Sequence, residues 1–443
     1  MQNQGIRNAR SLGTPKLLVL GLQHMFAMFG ATVLVPALTG LSVSATLLFA
    51  GLGTLFFHFL TKGKVPAFLG SSFAYLAGYA AIAPNGEAAL LPYACVGVAA
   101  SGLLYLILSA LVRGFGANRV MRFFPPVVTG PIIICIGMTL ANSAINNCTG
   151  SWDIALVAII TVVVFNIWGK GMLRIIPILL GVLVSYVYAA ITGRVDFSGV
   201  ASAAWIGLPV KMENTVFSLI GNCDMNLLVT AVLAIRPIAF ATMIEHIGDI
   251  CAISSTVGEN FIADPGLHRT LLGDGLATTI ASLFGAPANT TYGENTGVLA
   301  LTRVYDPLVI RLAAVYAIIA SFCPKFAALV SAMPTGTIGG VSLILYGMIS
   351  AIGVRNLVEN QVDLSKSRNV IVVSLIISLA LGITFSAAGA ITFHVGEFTL
   401  NFSGLAVAAI VGIVVNAILP GKDYDFQNNY EYGKTTEDHG QML

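Results

Sequence analysis

Two glutamates stand in stretches that are otherwise apolar or small: Glu245 in Ile244-Glu-His-Ile-Gly-Asp249, and Glu294 in Asn289-Thr-Thr-Tyr-Gly-Glu-Asn295. An ionised carboxylate at membrane depth is disfavoured by roughly 2.5 kcal/mol or more, so it faces a protein interior or a water-filled cavity. The chemistry open to it there is ligand binding or proton carriage. Burial favours the protonated carboxyl and a neighbouring carboxylate favours it further, so one of a close pair can load and release a proton. A polar contact between helices explains either glutamate alone; the two together favour a site. We read Glu245 as the coupling residue, with His246 and Asp249 as relays beside it and Asn295 in support. His24 is a weaker relay, since a hydrogen bond to a backbone carbonyl would also explain it.

The elements that must position these groups are set by composition. The chain has 443 residues, of which 56% are hydrophobic and 9% charged, against about 25% charged in a soluble domain. It reads as an all-α polytopic membrane protein. About fourteen segments approach the roughly 20 apolar residues of a span, some short or broken by Gly and Pro. Arg7 and Arg10 precede Lys16 without an apolar core and cleavage site, so no cleavable signal is expected.

With the N-terminus inside, the inner loops collect Lys62 and Lys64, then Arg113, Arg119 and Arg122, then Lys170 and Arg174, with Arg303, Arg355, Lys366 and Arg368 in the second half. That is the positive-inside pattern, and fourteen spans leave both termini cytoplasmic in the cell membrane. Arg194, Lys211, Arg236 and Lys325 are exceptions. The net charge of +2, spread between spans, suggests no nucleic-acid partner. The six cysteines show no CxxC or Cys/His spacing, so neither a disulfide nor a metal is expected.

Nucleotide-hydrolysing, hydrolase and dinucleotide motifs are absent. An aspartyl protease built on Asp249 and Asp274 would need a GxGD motif, and position 271 is Leu. We therefore expect neither an enzyme nor a cofactor, and energy drawn from a gradient.

The halves show weak internal similarity. Gln23-His24 matches Glu245-His246, Ser71-Ser-Phe73 matches Thr290-Thr-Tyr292 at nearly the same offset, and Gly130–Met138 matches Gly340–Met348 at another. Seven spans per half is odd, so the second copy must be inverted, as in many transporters. The third and tenth segments are poor continuous helices. Pro66, Gly70, Ser71, Ser72 and Gly78 break one, and Gly285, Pro287, Gly293 and Gly297 the other. Irregular backbone at membrane depth is tolerated only where it is buried in protein or lines a cavity, and half-helix N-termini then offer N–H donors. The two breaks should meet near the midplane.

The stretches Gln23-His-Met-Phe-Ala-Met-Phe-Gly-Ala-Thr32, Gly70-Ser-Ser-Phe73, Glu245-His-Ile-Gly248, Asp264-Pro-Gly-Leu-His-Arg269 and Asn289-Thr-Thr-Tyr-Gly-Glu-Asn-Thr-Gly297 closely resemble the nucleobase/ascorbate transporter family, its bacterial uracil permeases above all. The resemblance runs from about residue 16 to 420. It implies two inverted repeats of seven spans, with short strands in spans 3 and 10. A cytoplasmic tail at 1–15 and another at 421–443 would flank a transporter domain at 16–420. The core comprises spans 1–4 and 8–11, about 16–112 and 226–330, and the gate spans 5–7 and 12–14, about 120–193 and 334–419.

The resemblance further implies proton-coupled import of a nucleobase by alternating access of core against gate, and a homodimer embedded in lipid. Position by position, Glu245 and Glu294 correspond to the carboxylates that hold the base, Phe73, Tyr292 and Gly293 to residues around it, and Tyr346 to a gate-side contact. One departure concerns substrate. Uracil permeases carry a histidine where this chain has Asp249, a residue more typical of purine carriers, whereas Glu294 is typical of uracil permeases. Uracil is favoured because Glu294 should touch the base directly. A xanthine or urate symporter is the alternative. An anion exchanger of the same architecture is less favoured, because the breaks carry Glu294 and no cation nearer than Arg303.

Overall fold

The computed structural model describes residues 5–395 and 398–421; at Asn118, Met172, Ile175, Glu294, residues 394–395 and residues 398–401 it describes the backbone alone. The first half runs α1 (Thr14–Thr39), α2 (Val43–Leu60), a strand β1 (Leu69–Ser71), a 3-10 turn at Phe73–Tyr75, and α3 (Leu76–Ile82). It continues with α4 (Leu91–Phe115), α5 (Ala117–Met121), α6 (Pro126–Cys148), α7 (Trp152–Trp168), α8 (Met172–Ile175), α9 (Pro177–Ile191) and α10 (Ser198–Ser202). The second half has α11 (Met225–Ile235), α12 (Ala239–Val257), α13 (Leu267–Leu283), β2 (Asn289–Thr291), α14 (Gly293–Thr302), α15 (Pro307–Ser321), α16 (Pro324–Ser331), α17 (Thr335–Glu359), α18 (Ser367–Thr384), β3 (Ala390–Val395), β4 (Phe398–Ser403) and α19 (Gly404–Ile418).

Among the described residues, seven helical stretches are long and apolar enough to cross a membrane, or eight if the α15–α16 pair, bent by 89°, is one span. Shorter apolar helices add Phe73–Ile82, α7, α9 and α19. The chain is thus a mostly helical polytopic membrane protein. Local chemistry sets many of the helix ends. Ser42 accepts from Ala45 N at the start of α2, Asp224 from Asn226 N and Leu227 N at α11, and Asp306 from Leu308 N at α15, each answering N–H groups the helix itself leaves unpaired.

The halves interlock. α4 lies along α13 and α2 along α15, while α6 packs on α17 and α18, and α7 on α9 and α17. Several of these contacts are backbone against backbone, and in two of them glycine meets glycine. A Cβ on Gly102 would lie 2.6 Å from Gly275 O and one on Gly275 2.7 Å from Gly102 O; in the other seam a Cβ on Gly353 would lie 2.6 Å from Gly130 O. Small residues let membrane helices approach where lipid offers no hydrophobic drive to associate.

The all-α expectation needs one correction. The connection from α18 to α19 is an antiparallel hairpin, β3 pairing with β4 with Ala390 opposite Ser403, and β4 lies against α11. Within the expected N-terminal tail, Ile6 N donates to Arg303 O at 2.7 Å, Tyr305 N donates to Ile6 O at 2.8 Å, and Arg7 pairs with Glu259. Three of the four exceptions to the charge pattern have local partners: Arg194 on Asp153, Lys211 near Glu213, and Lys325 over the Trp205 ring. The C-terminal tail expected at 421–443 lies, beyond Gly421, outside the described residues.

Candidate functional site

The two broken segments meet. β1 and β2 pair antiparallel, with Leu69 opposite Thr291, Gly70 opposite Thr290 and Ser71 opposite Asn289. Ser72 N donates to Ala288 O at 2.8 Å and Tyr292 N to Phe68 O at 3.0 Å, extending the ladder at both ends. Each strand leads directly into a short helix, one starting at Phe73 and the other at Gly293. The unpaired N–H groups and positive dipole ends of the two half-helices therefore flank the crossing from opposite sides.

Side chains from neighbouring helices hold this crossing. Thr54 of α2 accepts from Leu69 N at 2.9 Å, and Thr278 of α13 donates to Asn289 O at 2.7 Å. The Asn289 amide donates to Phe49 O at 3.0 Å, and Ser71 Oγ to Thr32 O at 2.9 Å. The Tyr292 hydroxyl donates to Ser71 O at 2.9 Å, and its ring covers Gly70, where a Cβ would lie 2.5 Å from ring carbons. Tyr292 thus braces the crossing.

Glu245 and Asp249 lie four residues apart on α12, on one helix face, and both are half-buried. Thr291 Oγ1 donates to Asp249 Oδ2 at 2.9 Å, tying that face to the end of β2. A Cβ on Gly293 would come within 4.0 Å of Asp249 Oδ1 and 3.6 Å of Ile352 of α17, so Asp249 faces the start of α14. Glu294 is the second residue of α14 by its backbone; its side chain lies outside the described residues. Phe73 meets Tyr346 of α17 edge-on, with ring centroids 5.6 Å apart and planes at 76°. That geometry suits the ring quadrupoles.

His246 points elsewhere. Its Nδ1 lies 3.3 Å from Oδ2 of Asp274 on α13, both side chains being fully buried, and 3.5 Å from Thr291 Oγ1. Edges of Phe57 and Tyr105 close around its ring at 6.4 Å each. The Asp274–His246 approach has the distance of an ion pair without the alignment of a hydrogen bond. A polar chain thus runs from Asp274 through His246 and Thr291 to Asp249. His24 is drawn to the other end of the site, where the Asn295 amide contacts its Nδ1 and its carbonyl, both at 3.2 Å.

Of the residues singled out by sequence, the structure gathers Phe73, Asp249, Tyr292, Gly293 and Tyr346 around the crossing and places Glu245 one turn from Asp249. His246 and His24 are turned into buried contacts. Thr54 and Thr278 were missed, and Asp274 was weighed only as half of a protease pair with Asp249. Asp274 carried a usable signal, a charge in an apolar stretch, which is the argument that picked out Glu245. The two threonines carried none, since a helical threonine ordinarily bonds back to its own helix.

A family model described as "Permease family" (Xan_ur_permease) matches residues 15–389. The chain is 42% identical over 425 residues to a uracil permease of Bacillus caldolyticus, covering 94% of each chain. It is 39% identical over 431 residues to a uracil permease of Bacillus subtilis (strain 168), again covering 94% of each. Among solved structures it is similar to the transmembrane domain of a cyanobacterium bicarbonate transporter, BicA, with a TM-score of 0.64 over 94% of this chain and 100% of that one. At 14% identity this is a likeness of fold alone.

Proposed function

This chain belongs to the xanthine/uracil-type Permease family, and we propose that it imports a nucleobase, uracil first, by proton symport. It is a transporter and not an enzyme. The observation that carries the reading is the crossing itself, where two helix starts, a carboxylate-bearing face of α12 and the Phe73–Tyr346 contact converge. The ~40% identity to uracil permeases across nearly the whole chain supports the substrate class.

Uracil presents two N–H donors and two carbonyl acceptors around a flat ring. Carboxylates at Glu245 and Glu294 accept from ring N–H groups, backbone N–H groups at the starts of the Phe73 and Gly293 helices donate to the carbonyls, and Phe73 packs on the ring. An analogue lacking one of these groups leaves a buried partner unanswered, at a cost of about 1–3 kcal/mol. Glu245 carries the coupled proton, supported by Asp249 and by the His246–Asp274 pair behind it. One proton moving inward down 100 mV yields about 2.3 kcal/mol, enough for roughly fifty-fold accumulation of a neutral base. No cofactor is needed.

The architecture we assign is fourteen spans in two inverted repeats. The core is 16–112 with 226–330, the gate is 120–193 with 334–419, and two copies associate with both termini cytoplasmic. The extensive packing of α2 and α4 on α15 and α13, and separately of α6 and α7 on α17, supports that division. Rocking of core against gate would part Phe73 from Tyr346. A second reading, a xanthine or urate symporter, is favoured by Asp249 alone.

Both readings are tested in proteoliposomes carrying an inward proton gradient, with radiolabelled uracil and excess xanthine, urate and thymine as competitors. Uracil accumulation that a protonophore abolishes is the expected result. Accumulation of xanthine instead would shift the substrate to purines, and transport of no base would overturn the assignment.

A further inference from the structure

A concavity lies away from the crossing, between α4, α5, α12 and α19. It is a crevice of about 490 Å³. Its wall on α4 runs from Leu104 to Phe115, with Phe240 and Met243 of α12 on one side and Ile413 of α19 on the other. Among the described residues, Arg119 of α5 is the one charged residue lining it.

Three properties define what fits. The α4 wall covers about 17 Å of helix at ~1.5 Å per residue, close to half of the ~30 Å hydrocarbon thickness, so the crevice spans one leaflet. Leu111 is 42% and Phe115 61% exposed, so it opens sideways, where a bilayer lies. Arg119 marks its end at the α4–α5 turn, with Arg113 and Arg122 in the same short stretch. Among the described residues none of these three arginines forms an ion pair. Unneutralised basic residues beside an apolar slot at the inner face match an anionic headgroup above its acyl chain.

We propose that this crevice binds an anionic glycerophospholipid, one acyl chain in the slot and the phosphate held by Arg119. Its walls belong to both proposed moving bodies, α4 and α12 to the core and α19 to the gate. The α19 side is tied to the headgroup end as well, because the Asn416 amide donates to Arg122 O at 3.3 Å. Met243 lies two residues before Glu245 on the same helix. A chain seated here therefore stands between core and gate, and its occupancy makes transport respond to the anionic lipid content of the membrane. This second consequence rests on the uptake activity proposed above; the binding does not.

The test has two arms. In the first, delipidated full-length protein in detergent is titrated with phosphatidylglycerol or phosphatidylcholine and bound lipid is counted by native mass spectrometry. Phosphatidylglycerol should be retained about five-fold more strongly than phosphatidylcholine, the contribution of one arginine near an anionic surface. Arg119→Gln and the slot-filling Leu111→Trp should lose that preference, while Arg174→Gln, a charge removed elsewhere on the same face, should keep it. In the second arm, uptake by wild type should rise when phosphatidylglycerol is added to phosphatidylcholine vesicles and stay flat for Arg119→Gln. Equal retention by wild type and Arg119→Gln overturns the site, as does an equal loss in Arg174→Gln. Intact binding with no uptake response would overturn only the coupling to transport. Binding with no uptake of any base would instead count against the nucleobase reading.

Discussion

The two halves of the molecule build the same backbone device and fill it with different chemistry. In each, a helix breaks into a three-residue strand followed by a short helix, and a threonine from a neighbouring helix steadies the strand: Thr54 for β1 and Thr278 for β2. Beyond that the halves diverge. The first supplies hydroxyls, Gln23 and Phe73; the second supplies Glu245, Asp249, Asp274 and Glu294. Shape is thus duplicated while charge is concentrated in one half. Carboxylates at membrane depth are costly, whereas a strand crossing needs both partners to satisfy its backbone.

The sharpest break in this comparison is to remove charge from the second half and its counterpart from the first. Glu245→Gln should reduce initial uptake by about 100-fold, within the range for losing a hydrogen bond to a charged group, and should abolish proton-driven accumulation. Gln23→Ala, at the matching place, should leave accumulation intact with a lower rate. If Glu245→Gln still concentrates substrate against a gradient, the coupling role belongs elsewhere.

This asymmetry was partly legible in the sequence. The glycines and prolines around residues 66–78 and 285–297 announced the breaks because they deny a continuous helix, and Glu245 stood out because its surroundings are apolar. Asp274 was equally anomalous, but its partner His246 stands 28 positions earlier, and only packing of α12 on α13 brings them together. The β3–β4 hairpin did carry a signal, Gly396-Glu397 between the alternating runs Ile391-Thr-Phe-His-Val395 and Phe398-Thr-Leu-Asn-Phe402, and it was passed over because the flanking apolar spans dominate that stretch. His246 was placed with Glu245 because they are neighbours in sequence, yet adjacent residues on a helix point about 100° apart. That rotation leaves Glu245 on the face it shares with Asp249 and turns His246 against Asp274 of α13.

The Asp274–His246 pair offers the next test, because the first half has no matching carboxylate: His24, the counterpart of His246 in the repeat, meets the Asn295 amide at 3.2 Å. Asp274→Asn should destabilise the protein by about 2 kcal/mol, the scale of a partner lost in a buried polar contact, read as a lower midpoint of thermal unfolding in detergent. Combined with His246→Gln, the loss should be smaller than the two single losses added, since each removes the same interaction. Strict additivity would mean that the two side chains share a space without acting as a pair.

The threonine braces probe the side of the comparison that should be nearly symmetrical. Thr54→Val leaves the Leu69 N–H without its partner, a loss of about 2 kcal/mol. Thr278→Val removes one donor from a carbonyl, and carbonyls tolerate a missing partner better, so about 1 kcal/mol is expected. Both should lower the unfolding midpoint more than they alter substrate preference. A change of preference in either would show that the crossing sets chemistry as well as shape.

The smallest expected effect concerns which base is carried. Asp249 accepts from Thr291 and faces Gly293, so on the proposed reading it would act on the base through the end of β2 and the start of α14. Asp249→His exchanges an acceptor for a longer ring that can both donate and accept. It keeps the Thr291 contact available while extending towards the Gly293 helix start. Competition of xanthine against uracil uptake should then shift a few-fold towards uracil, with the maximal rate little changed, because Glu245 and the backbone donors remain. If the preference stays fixed while the rate collapses, Asp249 belongs with Glu245 to the proton path, and the second half uses two of its carboxylates for coupling.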